Sequence, residues 1–160
     1  MKRFYIISFI LIIIDRIIKI MVQNFLTDNP IFIIRNFFYL TYVKNEGAAF
    51  SILEGRSILF ILIAVFASIV IINYVKKNNI SNIGYMMLIG GIIGNMIDRL
   101  FYGYVIDYIG FILFKNYMPI FNFADILIVV GAVIVILLGS DKNENRSKLR
   151  ERGENWSISF

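Results

Sequence analysis

The sequence predicts an all-α membrane protein, a four-transmembrane-helix bundle that carries a small extracytoplasmic β-sheet. Hydrophobic residues fill 59% of its 160 positions, against about 45–50% in soluble domains. Charged residues are 17%, where about 25% is ordinary, and the mean hydropathy is +0.76. One domain of this size cannot hide so much apolar surface from water. The apolar residues also gather into four segments, each near the roughly 20 residues that cross a hydrocarbon layer. Backbone polar groups in lipid must pair within their own segment, so these segments are expected to be helices.

The first segment, residues 4–22, follows Lys2 and Arg3 and is interrupted by Asp15, Arg16 and Lys19. A cleaved signal peptide would need a short unbroken apolar run and a small-residue cleavage site, and neither is expected here. Residues 23–57 form an outer segment in which Ile31 to Val43 is rich in Ile, Phe and Tyr, a strand-forming composition. Residues 58–75 carry no charge. The third segment, 83–101, holds Gly84, Gly90, Gly91 and Gly94 before Asn95, Asp98 and Arg99. Gly90 and Gly94 have the spacing that lets a neighbouring helix approach closely, and Gly91, Asn95 and Asp98 share one helix face. The fourth, 118–138, is expected to open with Pro119 in its first turn, followed by Asn122 and Asp125 on one face. Residues 1–138 read as a single integral-membrane domain, and the polar stretch 139–160 as a mobile cytoplasmic tail.

Orientation follows from Lys and Arg. With the N-terminus inside, the cytoplasmic segments hold nine: Lys2, Arg3, Lys76, Lys77, Lys142, Arg146, Lys148, Arg150 and Arg152. The outer side holds four, Arg35, Lys44, Arg56 and Lys115. Both termini are therefore expected in the cytoplasm. The net charge of +5 reads as membrane orientation rather than nucleic-acid binding, because the basic residues cluster beside apolar runs.

The absences narrow the chemistry. Without cysteine or histidine there is no thiol nucleophile, no Ser-His couple and no imidazole or thiolate metal site. Acid–base work falls to carboxylates, Lys or Tyr. Charges inside a bilayer cost at least about 2.5–3.5 kcal/mol each, yet this chain clusters them. Asp15 and Lys19 are four apart, so an intrahelical ion pair and a functional role both stay open. For Asp125, helix capping is the plain alternative to chemistry. By the topology, Asn95, Asp98, Arg99, Asp107, Asn122 and Asp125 meet at a similar depth near the outer helix ends. Two close carboxyls that share a proton can hydrolyse a peptide bond by aspartic-protease logic, without metal or cofactor. The rival use of such acids is a small proton-coupled transporter.

Four stretches carry a resemblance: Asp15-Arg-Ile-Ile-Lys19; Asn45-Glu-Gly47-Ala-Ala-Phe50; Gly90-Gly-Ile-Ile-Gly-Asn-Met-Ile-Asp-Arg99; and Val105-Ile-Asp-Tyr108 with Phe121-Asn-Phe-Ala-Asp125. In order and spacing, over about residues 4 to 138, the chain resembles lipoprotein signal peptidase, the type II signal peptidase. The resemblance implies a multi-pass aspartyl endopeptidase of the bacterial cytoplasmic membrane, its site toward the outer face. Its substrates would be prolipoproteins bearing a diacylglyceryl group, cut just before the lipidated cysteine. Asp107 and Asp125 would be catalytic. Asn45, Gly47, Asn95, Asp98, Arg99 and Asn122 would line or support the site, with Asp15 and Lys19 as the first-span pair. Membrane lipids and globomycin-type inhibitors are the further implied partners. A sheet within 23–57 would cradle the substrate, and 102–117 would form a flexible periplasmic or extracellular lid. Arg16, Ile18 and Tyr108 depart from the family pattern, where Gln, a small hydroxyl residue and Phe are expected.

Overall fold

The computed structural model describes residues 1–47, 55–80, 82–114 and 116–151. Residues 48–50 of the Asn45–Phe50 stretch, Lys115 and the end of the tail, 152–160, lie outside the described residues. The elements run α1 (Lys2–Phe25), β1 (Ile31–Ile34), β2 (Phe38–Asn45), α2 (Ser57–Lys77), α3 (Ile83–Tyr102), β3 (Val105–Leu113), β4 (Asn116–Tyr117) and α4 (Phe123–Glu151).

Burial along α1 is inverted relative to a soluble helix. Its buried residues are Phe4, Ser8, Asp15, Lys19 and Val22, one stripe at helical spacing, while Ile6, Phe9, Ile13 and Ile17 are exposed. The same holds on α2, where Ile58, Leu62 and Phe66 are exposed. An apolar exterior around a charged interior requires an apolar solvent. Taken by length and composition alone among the described helices, only Ser57–Lys77 passes as a membrane-crossing helix. The charges of α1 and the glycines and polar residues of α3 lower the apolarity of those helices, and the apolar part of α4, Phe123–Leu138, is shorter.

Helix α3 is central, packed on α1, α2 and α4, and its glycines make the packing close. A Cβ on Gly90 would lie 2.9 Å from the Leu11 side chain of α1, and one on Gly94 2.7 Å from Asp15 Oδ2. Toward α4, Gly84 and Gly131 face each other, each leaving room for the other's carbonyl oxygen at 2.8 Å from a would-be Cβ. Asn82 caps the start of α3 by accepting the Gly84 N–H at 2.7 Å. Gly103 ends it in the left-handed region (φ 82°), with its N–H on Arg99 O at 3.1 Å, as a helix-terminating glycine does.

The four strands form one antiparallel sheet in the order β1-β2-β3-β4. The β1–β2 turn places Asn36 at φ 57°, a backbone region that Asn tolerates well. On β2–β3 the register pairs Asn45 with Val105 and Val43 with Asp107, shifts, and resumes at Leu40 with Ile109. Tyr39 lies opposite Gly110 and its ring covers the space a Gly110 side chain would take. Two apolar clusters result. Phe4, Val75, Met86 and Ile89 join α1, α2 and α3, while Val22, Ile106 and Tyr108 lie where the sheet meets the bundle.

Three expectations are corrected. Most of the segment 102–117 is not a flexible lid, because Val105–Leu113 is an inner strand of the sheet. Val105, Ile106, Asp107 and Tyr108 are all buried there, and burial of branched and aromatic side chains holds the segment down. Helix α4 begins at Phe123, so Pro119 precedes the helix rather than opening it. The chain that follows explains why: Phe121 bridges to Ile109 as sheet, with hydrogen bonds of 3.0 and 2.8 Å between their backbones. At the other end the helix continues through the start of the polar stretch to Glu151, where residues such as Lys, Arg and Glu favour helix.

On Gly91 a Cβ would press into the Ala124 carbonyl and lie 2.8 Å from Ile128 Cγ1, both on α4. Gly91→Ala is therefore expected to force α3 from α4 and to lower the thermal midpoint in detergent by about 3–8 °C. An unchanged midpoint would show that this helix contact tolerates a methyl group.

Candidate active site

A layer of polar side chains lies between the two apolar clusters. Its centre is Lys19, fully buried on α1. The ammonium has three N–H donors, and three acceptors surround it: Asp15 Oδ2 at 2.9 Å, Asp98 Oδ2 at 2.8 Å and Asn95 Oδ1 at 2.9 Å. Asp98 is likewise fully buried. Its Oδ1 pairs with Arg16, and its Oδ2 also accepts the Ile106 N–H at 3.2 Å.

Asn95 passes this order outward. Its carbonyl faces two donors, Lys19 and Asn122 Nδ2, the latter at 3.2 Å, so its amide NH₂ points the other way. That group donates to Asp125 Oδ1 at 2.8 Å. Asp125 Oδ2 accepts the Asn122 N–H at 3.1 Å, while Asn122 Oδ1 accepts the Asp125 N–H at 3.0 Å. This reciprocal pair is a capping box at the start of α4. Asp125 is thus a helix cap through one oxygen and a site residue through the other.

Asp107 comes from β3 and is 2% exposed. Asn122 Nδ2 donates to its Oδ1 at 2.7 Å and Asn45 Nδ2 to its Oδ2 at 2.7 Å. Burial, and then the negative charge of Asp125, push its carboxyl up to about 6, against the pull of Asn45, Asn122 and Lys19. Arg99 donates from Nη2 to Gly47 O at 3.1 Å and lies 4.7 Å from the Phe60 ring. Gly47 is held in turn by its N–H on Asn45 Oδ1 at 3.0 Å. Asp107, Asp125, Asn45, Gly47, Asn95 and Arg99 line one cavity of about 290 Å³, whose apolar wall is Val105, Pro119, Ile120 and Phe121.

The tertiary structure therefore brings every sequence-identified polar residue into one network. Asp15, Lys19 and Asp98 form its inner layer; Asn95 and Asn122 connect that layer to the two carboxyls at the cavity. Two members escaped the sequence reading as partners. Arg16 pairs across helices with Asp98, whereas its sequence position beside Asp15 suggested nothing beyond the i,i+4 pair. The Tyr108 hydroxyl accepts the Phe123 N–H at 3.1 Å and so ties β3 to the first turn of α4. Its departure from the family's usual Phe was the available signal.

Comparison with known proteins gives the family. The family model for signal peptidase (SPase) II matches residues 7–139. The chain belongs to the signal peptidase II family. A lipoprotein signal peptidase of Halothermothrix orenii is 42% identical over 137 residues, covering 83% of this chain and 92% of its own. One from Clostridium novyi is 41% identical over 133 residues, covering 79% and 89%. A solved structure described as a bacterial membrane enzyme superposes with a TM-score of 0.76 at 27% identity, over 86% of this chain and 92% of that one. Signal peptidase II membership makes the chain a bacterial membrane peptidase, and the cavity is the place on it where two carboxyl groups converge.

Asp107 titration tests the electrostatics. With Asp107 labelled by ¹³C at its carboxyl, the wild-type midpoint is expected near 6. In Asp125→Asn the midpoint should fall toward the ordinary 3.8 but stay above it, because burial, the larger cause, remains. The folded-state value lies above the unfolded one, so this group's contribution to stability is full below about pH 4 and lost as pH rises through about 6. That loss amounts to about 2–3 kcal/mol. A midpoint unmoved by Asp125→Asn would show that the two carboxyls do not interact.

Proposed function

We propose that this signal peptidase removes the signal peptides of diacylglyceryl-modified bacterial prolipoproteins, cutting just before the lipidated cysteine, with Asp107 and Asp125 as the reacting pair. The observation that carries the reading is the convergence of these two carboxyls on one cavity, each oriented by fixed amide donors, with Asp107 raised to about 6 by burial and by its partner.

The ionisable groups of the site balance this way. Asp15, Asp98, Asp107 and Asp125 face Lys19, Arg16 and Arg99, so one negative charge is left unmatched when all are ionised. A single proton shared by Asp107 and Asp125 neutralises the set, as two close carboxyls favour. The ionised partner takes a proton from a water as its oxygen attacks the scissile carbonyl. The protonated partner then gives its proton to the departing amine. Arg99 and Asn45 lie at the cavity wall, where they would hold the peptide backbone in line. Lys19, Asn95 and Asn122 hold the acids rather than the substrate.

In this reading all four helices cross the membrane, both termini are cytoplasmic and the sheet end faces outward. The nine-to-four excess of Lys and Arg and the apolar exterior of α1 and α2 support it. The substrate's acyl chains stay in lipid while its scissile bond enters beside the sheet. Globomycin-type peptides would compete for the same cavity. Proton-coupled transport is disfavoured by membership of the peptidase family.

Asp107→Asn and Asp125→Asn keep side-chain size but remove the shared proton. Each is expected to lower cleavage of a lipidated precursor by at least about a thousandfold while the protein still folds. Turnover above about a tenth of wild type in either variant would exclude the two-aspartate mechanism.

Substrate choice rests on the lipid anchor. Each buried CH₂ contributes about 0.8 kcal/mol to membrane attachment, so a diacylglyceryl group concentrates the scissile bond at the cavity. An unlipidated precursor should be cleaved poorly or not at all in micelles. Equal rates for the two precursors would point instead to a general intramembrane protease.

A further inference from the structure

Arg16 carries a side chain only 20% exposed, paired with the fully buried carboxylate of Asp98. Its Nη2 also donates to the Tyr102 hydroxyl at 3.1 Å, and its guanidinium lies 5.2 Å from the centre of that ring. Asp98 sits one contact from β3, because its Oδ2 accepts the Ile106 N–H at 3.2 Å, and Asp107 is the next residue. The β2–β3 ladder is regular through Asn45↔Val105, Lys44↔Ile106 and Val43↔Asp107 and shifts register just beyond Asp107. The ladder holds this stretch of β3 to β2, and the Asp98 carboxylate is what ties its Ile106 amide to α3.

We propose that Arg16 is a positioning residue for Asp107, acting through Asp98. The carboxylate plane of Asp98 is set by donors on both oxygens: Arg16 on Oδ1, Lys19 and Ile106 on Oδ2. Without Arg16, Oδ1 is a buried acceptor with no donor, a costly state. The carboxylate then gains by turning Oδ1 toward Lys19, and that rotation withdraws Oδ2 from the Ile106 N–H. The first residues of β3 lose this tie to α3, and Asp107 loses part of what holds it in place against Asn122. The planar fork of Arg16 reaches Asp98 and Tyr102 together, and of the two contacts only the one with Asp98 bears on Asp107. This proposal rests on the reading of Asp107 and Asp125 as the reacting pair.

The test uses the full chain in detergent with a lipidated precursor, and follows kcat, KM and the NMR exchange rate of the Ile106 amide. Arg16→Gln should lower kcat about five- to tenfold with KM changed less than about twofold, and should speed Ile106 exchange at least about tenfold. Arg16→Lys, which keeps the charge on Asp98, should recover most of both, and Tyr102→Phe should leave both near wild type. Unchanged Ile106 exchange in Arg16→Gln overturns the proposal, as does an equal loss in Tyr102→Phe, which would make Arg16 a mere helix clasp. If Arg16→Gln does not fold, Arg16→Lys decides, since kcat and Ile106 exchange must then move together or the proposal fails. Asp107→Asn is measured alongside. Its retention of activity would sink the catalytic reading, while the Ile106 amide still reports on Arg16. An inactive Asp107→Asn beside a fully active Arg16→Gln would sink the positioning role alone.

Discussion

A buried ammonium is the constraint around which this molecule is arranged. Lys19 is removed from solvent entirely, and an uncompensated charge there would cost several kcal/mol. Its three protons must find three acceptors, and Asp15, Asp98 and Asn95 supply them from two helices. That requirement fixes how α1 meets α3. It also fixes which way Asn95 turns, because a carbonyl oriented to Lys19 leaves its NH₂ facing Asp125. A charge behind the cavity lining thereby sets the orientation of a carboxyl that lines it.

The same economy appears in the residues with two tasks. Asp125 caps α4 through Oδ2 and faces Asn95 through Oδ1. Asn122 caps the helix through its carbonyl and orients Asp107 through its amide. Asp98 compensates Lys19 and Arg16 while it holds the Ile106 N–H. Each of these three side chains has a partner on both of its polar atoms, so turning any of them breaks more than one contact of the network. Such coupling keeps the two carboxyls in fixed orientation at the cavity.

The packing explains how polar groups reach this depth. Gly94 leaves the space that the Asp15 carboxylate occupies, and Gly91 lets the start of α4 lie directly against α3. A larger residue at either place would separate the helices that carry the two halves of the network. The two apolar clusters flank the layer, and burial is the larger cause that raises the proton affinity of Asp107.

Much of this was legible in the sequence. Apolar segments interrupted by clustered charges mark a membrane protein with a polar interior, since no other arrangement justifies their cost. Without His or Cys, acid–base chemistry was left to the carboxylates, Lys or Tyr, and the order of the motifs selected Asp107 and Asp125. Glycine spacing foretold close helix contact on α3. Hydrogen-bond direction was not legible, because it depends on three-dimensional neighbours far apart in the chain: Lys19 reaches Asn95 across 76 positions, and Arg16 reaches Asp98 across 82. Nor was the fate of 102–117, whose aromatic residues suit a surface loop as well as a strand. Only β2 on one side, β4 on the other and Asp98 beneath made it an inner strand. Residue types and spacing singled out the candidate groups; tertiary packing decided how each one points, because a buried polar group takes the partner that geometry leaves it.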